Sequence, residues 1–401
     1  MTDQPLHLAV ALDGTGFHPA SWRDPSARPA ELFTPRYWGD LARAAERGLA
    51  DFLTIEDSFG IQSARYSGPD ERTDQVRGRL DALSIASFMA PLTQHIGLVP
   101  TVVPTHTEPF HIGSGISTLD YVSRGRGGWR PQISTRVAEA AHVGRRTFPE
   151  IDPRLPATPE VAAVVSGLFD EAADAVEVTR RLWDSWEDDA VIRDEPTGRF
   201  VDRDKLHYID FEGRFFSVKG PSIVPRPPQG QPLVVALAHS RVPFEFAARA
   251  ADVVMVTPKD AADVDRWVHG VRQAEHDVGR TGTPLLIFGD LQVVLAATHD
   301  EAVRRREALD EADGARFKTD CQQFAGTPDE LAEELLAWAA HGLVGFRVRP
   351  AVIGRDLDAI VDGLVPALQR AGAFRRAYEP GLLRERLGLG RPQSRYVRSP
   401  S

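Results

Sequence analysis

Residues 232–256, PLVVALAHSRVPFEFAARAADVVMV, place a hydroxyl and a guanidinium where an apolar strand hands over to a helix. The turn is His239-Ser240-Arg241 rather than a run of glycines. Two chemistries fit it. An anion such as a phosphate could rest on the free N–H groups of the helix's first turn, assisted by the hydroxyl and the guanidinium. Ser240 could equally be an ordinary N-cap, worth ~1 kcal/mol of helix stability. Other reactive types follow the ends of apolar runs elsewhere. Asp13, His18 and Trp22 follow the first run, Glu56, Asp57 and Ser58 the second, and Thr101, His106, Glu108 and His111 the third. Gln132 and Ser134 end the fourth, while Arg347 and Arg349 alternate with Phe346 and Val348 in the last. Histidines titrate near neutral pH, so His18 and His106, with Asp57, are the candidates for moving protons. Plainer roles compete with each of these. Asp57 and Ser58 can start the next helix, His106 can be a loop histidine held by backbone, and the two arginines can pair with neighbouring carboxylates.

The elements that must position these groups are short apolar runs followed by helical patterns. Eight runs qualify: 6–12, 51–57, 95–103, 128–134, 232–238, 252–257, 285–296 and 345–350. Strands that are apolar on both faces and alternate with helices form parallel sheets. Eight of them in a chain of 401 residues predict a (β/α)8 TIM barrel with insertions rather than a doubly wound sheet. Such barrels carry their sites at the C-terminal ends of the strands, which is where the residues above fall. Residues 1–390 are read as one domain with insertions near 135–160 and 187–231, and 391–401 as a flexible tail. Thr34-Pro35 and Thr327-Pro328-Asp329-Glu330 have the chemistry of helix starts.

Composition removes several function classes. The net charge of −10 gives no electrostatic footprint for nucleic acid or an anionic membrane. A single cysteine, Cys321, excludes an internal disulfide framework. The opening MTDQPLHLAVALDG lacks the basic start and long apolar stretch of a secretory signal, so a cytoplasmic location is expected. A metal-dependent barrel hydrolase needs an HxH on its first strand, and His7 stands alone there. GxSxG, CxxC, HExxH and GxxxxGK[ST] are all absent, and GTGFHP is not a dinucleotide fingerprint.

Longer blocks carry a resemblance. VALDGTGFHPASWR, IEDS and GTPDELAEELLAWAAHGLVGFRVRP are among them, and the central EPFHIGSGISTLDYVSRGRGGW and WDSWEDDA are the specific ones. Together they resemble the flavin-dependent monooxygenases of the bacterial-luciferase-like superfamily, in the branch of nitrilotriacetate and dibenzothiophene-sulfone monooxygenases. The resemblance runs from about Leu6 to Leu389. It implies a (β/α)8 barrel that binds FMN, supplied as FMNH2 by a separate NAD(P)H:flavin reductase. It further implies transfer of one oxygen atom of O2 to a small organic substrate through a flavin C4a-(hydro)peroxide, in a homodimer or homotetramer. By the same resemblance Asp57 lies near the isoalloxazine, Thr101 contacts the flavin, and Ser240 holds its phosphate. Departures accompany it. The family's QAGSS turn reads Ala236-Leu237-Ala238-His239-Ser240, and its HDERY reads Val165-Ser166-Gly167-Leu168-Phe169. Its GWNVVTS reads Gly128-Trp129-Arg130-Pro131-Gln132-Ile133-Ser134. His239, Arg241, Gln132, Ser134 and Phe169 are the further residues expected to bind the cofactor. Phe17, Trp22 and Phe110 are expected as apolar walls of the mouth. A deazaflavin (F420)-dependent hydride-transfer enzyme on the same fold and a non-catalytic flavin-binding protein are the competing expectations.

Overall fold

A computed structural model describes residues 5–63, 65–66, 68–151 and 157–397. The eight expected runs form eight parallel strands: β1 His7–Leu12, β2 Phe52–Ile55, β3 Gly97–Val102, β4 Gly128–Pro131, β5 Leu233–Leu237, β6 Val253–Val256, β7 Leu286–Leu295 and β8 Gly345–Pro350. Each pairs with the next in the chain, and β8 pairs back with β1, closing the barrel. The helices that matter for the site are α1 Pro35–Arg47, α2 Ala82–Met89, α3 Pro109–Val122, α4 Val137–Val143, α5 Pro159–Asp184, α6 Arg241–Ala250, α7 Ala261–Asp277, α8 His299–Asp313 and α9 Pro328–Ala339. Thr327 opens α9 with a full capping box to Glu330, as its sequence predicts.

Side-chain alternation sorts the barrel interior into two layers. The lower layer is apolar: Ala9, Phe52, Val99, Leu233, Val235, Val253, Met255 and Phe288, closed from below by Leu383 and Leu387. Gly97 lacks a side chain at this level because a Cβ there would lie 2.7 Å from Leu383 and 2.8 Å from Phe52. One residue pair further along each strand the interior turns polar, with Thr54, Thr101, Arg130, Asp290, Arg347 and Arg349 all buried. The layer change sets a charged floor under the C-terminal mouth.

Three features go beyond the expected pattern. A ninth parallel strand, Gln322–Gly326, pairs with Leu291–Leu295 of β7, above the point where β6 ends its own pairing at Val256 opposite Gly289. The 187–231 insertion folds into two short antiparallel pairs, Val191–Asp194 with Arg199–Val201 and Phe211–Glu212 with Ser217–Val218. The segment 391–397 is tied down rather than free, which corrects the expected tail. Arg391 pairs with Asp188, Arg395 with Asp184 and Glu177, and Tyr396 stacks on His207 with ring centroids 4.9 Å apart. Residues 398–401 lie outside the described residues.

Much of the specific sequence blocks proves to be scaffolding at or near the other end of the barrel. Asp120 on α3 accepts from Gly127 N–H, Gln229 N–H and the Gln229 amide. Burial raises its pKa to about 6. Arg126 donates to Ala90, Thr93, Ile96 and Ser123 carbonyls. Trp183 donates to Gly113 O, and Asp184 pairs with the buried Arg226.

Candidate active site

A buried ion network forms the floor of the mouth. Glu56, one residue past β2, receives Arg130 from β4 and, at 3.0 Å, Arg347 from β8. Arg347 and Arg349 both donate to Asp290, the residue opposite Arg347 on β7, and Arg349 continues to Asp320 at 2.7 Å. Burial works against an ionised Glu56, yet Arg130, Arg347 and Arg349 outweigh it and hold its pKa below the ordinary value. Asp320 is lowered in the same way, by Arg349 against burial. On the β1–β2 side Arg79 binds Asp13 at 3.0 Å and Ser58 Oγ at 2.9 Å. Four guanidiniums therefore face four carboxylates. The expected plain role of Arg347 and Arg349 is the one the fold realises.

Above this floor opens a cleft of ≈ 500 Å³ between the β2 and β3 ends and α2 and α3. Phe59, Ile61, Leu83, Val102 and Val103 give it apolar walls, and Asp57, Ser58, Arg79, Asp81, Thr101, Thr107 and His111 give it polar ones. Thr101 is buried, and its Oγ1 accepts from Arg130 Nε at 3.0 Å, leaving the hydroxyl proton to donate. Asp57 turns its two oxygens to backbone, Oδ1 to Ser58 N–H at 2.8 Å and Oδ2 to Ala82 N–H at 2.9 Å. Burial raises its pKa above the usual carboxylate value. Both sequence-level readings of Asp57 thus meet in one residue, since it lines the cleft and also ties its loop to the start of α2.

The three proton-handling candidates separate. His106 is buried and neither ring nitrogen has a partner. Burial, with a contribution from Arg146, lowers its pKa to about 4. His18 has no such freedom. Its Nδ1 accepts from Ala20 N–H at 3.2 Å, its Nε2 meets Asp310 at 3.2 Å, and it lines a separate small cavity with Gln292 and Phe317. The expected walls also divide. Phe110 packs in a satellite core with Val178, Leu182, Ile209 and Phe211, so it is not part of the mouth. Trp22 donates its indole N–H to Asp74 O, and Phe17 lies under the Arg349 guanidinium at 5.8 Å.

Residues 135–151 of the first insertion cross this region as a strap. Arg146 makes two parallel bonds to Glu171 on α5, 2.6 and 2.7 Å long, and Arg145 pairs with Glu108. Phe148 lies against the His106 ring, 6.4 Å between centroids.

The remaining cofactor-side residues lie along β4 to α6. Gln132 accepts from Arg130 Nη2 at 3.0 Å, and the Ser134 N–H donates to Thr105 Oγ1 at 3.0 Å. Phe169 on α5 meets Phe246 on α6 edge to face, 5.8 Å apart. The opening turn sits at the end of β5, on the same face of the barrel as the cleft. His239, Ser240 and Arg241 are all exposed. Ser240 occupies the N-cap position of α6 in an extended conformation, but its hydroxyl makes no capping bond. Pro243 brings no N–H to the first turn, and Arg241 turns away to Glu245, 2.7 Å from its Nε. The helix start is open, which is what a phosphate-binding turn needs. An open helix N-terminus, a cleft of ring-system size and a buried imidazole without partners fit an FMN. None of the residues missed at the sequence level had a motif. Arg79, Asp290 and Asp320 are ordinary charges in the chain, and only Asp290, a carboxylate inside the apolar run LLIFGDLQVVLA, stands out by type.

Among the described residues no group of histidines, cysteines and carboxylates could hold a metal ion, and no helix is long and apolar enough to cross a membrane. The family model described as luciferase-like monooxygenase matches residues 15–345. The chain is 29% identical to N-acetyl-S-(2-succino)cysteine monooxygenase of Bacillus subtilis (strain 168), over 98% of each chain. It is 28% identical to nitrilotriacetate monooxygenase component A of Aminobacter aminovorans, again over 98% of each. Its fold superposes on the crystal structure of long-chain alkane monooxygenase with a TM-score of 0.85 and 25% identity, covering 97% of this chain and 96% of that one. The protein belongs to the luciferase-like monooxygenase family.

Proposed function

We propose that the protein is the oxygenating component of a two-component monooxygenase, working with FMN reduced by a separate NAD(P)H:flavin reductase. The observation that carries this reading is the open N-terminus of α6 on the same face as the cleft. When bound there, reduced FMN supplies the electrons and activates O2 for transfer of one oxygen atom to the substrate.

Each part of the site has a task that follows from its geometry. The Ser240 hydroxyl and the first-turn N–H groups of α6 hold the phosphate, where the helix dipole favours negative charge. Thr101, fixed by Arg130, orients the ring system by donating its hydroxyl proton. Asp57 is a positioning residue, because its carboxylate holds Ser58 and Ala82 and with them the cleft wall. Phe59, Ile61, Leu83 and the 135–151 strap keep water from the reacting atoms, which limits wasteful discharge of the activated oxygen.

The test supplies the purified protein with FMN, NADH, a flavin reductase and 18O2, together with candidate substrates. One labelled oxygen in the product, only when FMN is present, is the expected result. Oxygenation independent of FMN, or hydride transfer from reduced F420 in its place, overturns the reading.

A further inference from the structure

The charges around the cleft say which substrates it can hold. Arg79 is the one guanidinium among the residues lining it, and its nitrogens go to Asp13 and Ser58. Below, the nitrogens of Arg347 are taken by Asp290, Thr54 and Glu56, and those of Arg349 by Asp290 and Asp320. Arg130 serves Thr101, Glu56 and Gln132. Against these matched pairs the cleft wall adds Asp57 and Asp81. Among the described residues lining the cleft, a carboxylate entering here would lose its water and find no unpaired guanidinium in exchange.

One polar group does stand without a partner. His106 is 8% exposed, with Nδ1 and Nε2 both unmet. Its neighbours in the chain, Val103 and Thr107, line the cleft, and Phe59 of the cleft wall meets the imidazole edge-on at 5.5 Å. The charged groups that face it are Arg146 and Glu171, which neutralise each other in a bidentate pair. An imidazole in such surroundings stays neutral and offers one donor and one acceptor. Leaving them unmet is costly, and a ligand bearing an oxygen can recover part of that cost.

We infer that the site takes an uncharged, largely apolar substrate carrying one neutral hydrogen-bonding oxygen, which His106 meets. The inference rests on the monooxygenase reading above and narrows it. It separates this chain from its nitrilotriacetate-oxidising relative, whose named substrate is a polycarboxylate.

The experiment uses the full-length protein saturated with FMNH2 in the absence of O2, so that no turnover occurs. Diphenyl sulfone and 4-carboxydiphenyl sulfone serve as matched probes in isothermal titration. The uncharged sulfone is expected to bind at least tenfold more tightly than its carboxylate. His106→Leu is expected to weaken sulfone binding about tenfold, the worth of one hydrogen bond. Its melting temperature should be unchanged or higher, because the replacement removes an unmet polar group. The inference is overturned by equal or tighter binding of the carboxylate, by binding of neither probe, or by a His106→Leu variant that binds the sulfone as the parent does. FMNH2 saturation is measured first in the same protein. Absence of FMNH2 binding refutes the monooxygenase reading itself, whereas FMNH2 binding with the wrong probe order refutes the substrate class alone.

Discussion

Arg347 grips both oxygens of Asp290, with Nε 3.2 Å from Oδ1 and Nη2 2.5 Å from Oδ2, directly across the β7–β8 pairing. Arg349 holds the same carboxylate from the next inward position of β8. A pair buried this deeply gains little net stability over apolar side chains, because both ions lose their hydration. Its value is positional: it sets a rigid, charge-balanced floor under the cleft.

Breaking that floor should be costly. Asp290→Ala leaves Arg347 and Arg349 buried without their shared counterion and is expected to destabilise the fold by about 3–5 kcal/mol. Urea unfolding of the parent and variant measures it. Replacing Arg347 and Asp290 together by apolar residues should recover much of the loss. A loss under about 1 kcal/mol for the single variant would mean that water reaches the network, contrary to the burial of Asp290.

The charge balance of the cleft wall depends on Asp13. Asp13→Asn leaves Arg79 without its counterion, so the cleft should accept anions it otherwise rejects. Binding of 4-carboxydiphenyl sulfone is expected to tighten about tenfold, since a hydrogen bond to a charged group contributes roughly 1.5–3 kcal/mol. An unchanged affinity in titration would show that the guanidinium of Arg79 does not face bound ligands.

His106 also imposes a pH dependence on stability. Its pKa falls from 6.5 to about 4 on folding, so the unfolded chain binds its proton first as pH drops. The contribution is fully present above pH 6.5 and is lost as pH falls towards about 4. His106→Leu should flatten the stability profile across that window relative to the parent. Unfolding midpoints at a series of pH values decide it, and parallel profiles would contradict the buried, neutral state of the imidazole.

Much of this architecture is legible in the chain, and the exceptions have physical causes. Most of the eight barrel strands stand out because they bury both faces and so read as apolar runs, although β4 (GWRP) and β8 (GFRVRP) carry arginines. The ninth strand does not, since it opens with Gln322 and Gln323, both only partly buried on the β7 edge. Of the two antiparallel pairs in the second insertion, the first is largely exposed with no alternation to detect, and the second is only two residues long on each side. The site is less legible than the fold. His18 and His106 look alike in sequence, and only packing shows one satisfied by Asp310 and Ala20 and the other left without partners. The most recognisable blocks, around Asp120, Arg126 and Trp183, mainly hold helices to the barrel, while His111 at the start of α3 reaches the cleft. Arg391 and Arg395 escape notice for a similar reason, because their partners Asp188 and Asp184 lie about half the chain away.

The turn at Ser240 separates cofactor binding from helix capping most directly. Ser240 makes no capping bond, so Ser240→Asp should keep or slightly raise stability by placing a better cap and a negative charge at the start of α6. The same charge would repel a phosphate. Anaerobic titration with FMNH2 and with reduced F420, monitored by flavin fluorescence and absorbance, is therefore the decisive measurement. The parent is predicted to bind FMNH2, and Ser240→Asp to bind it at least tenfold more weakly at unchanged melting temperature. Equal FMNH2 affinity in the two proteins, or tight binding of F420 with none of FMNH2, would contradict the assignment.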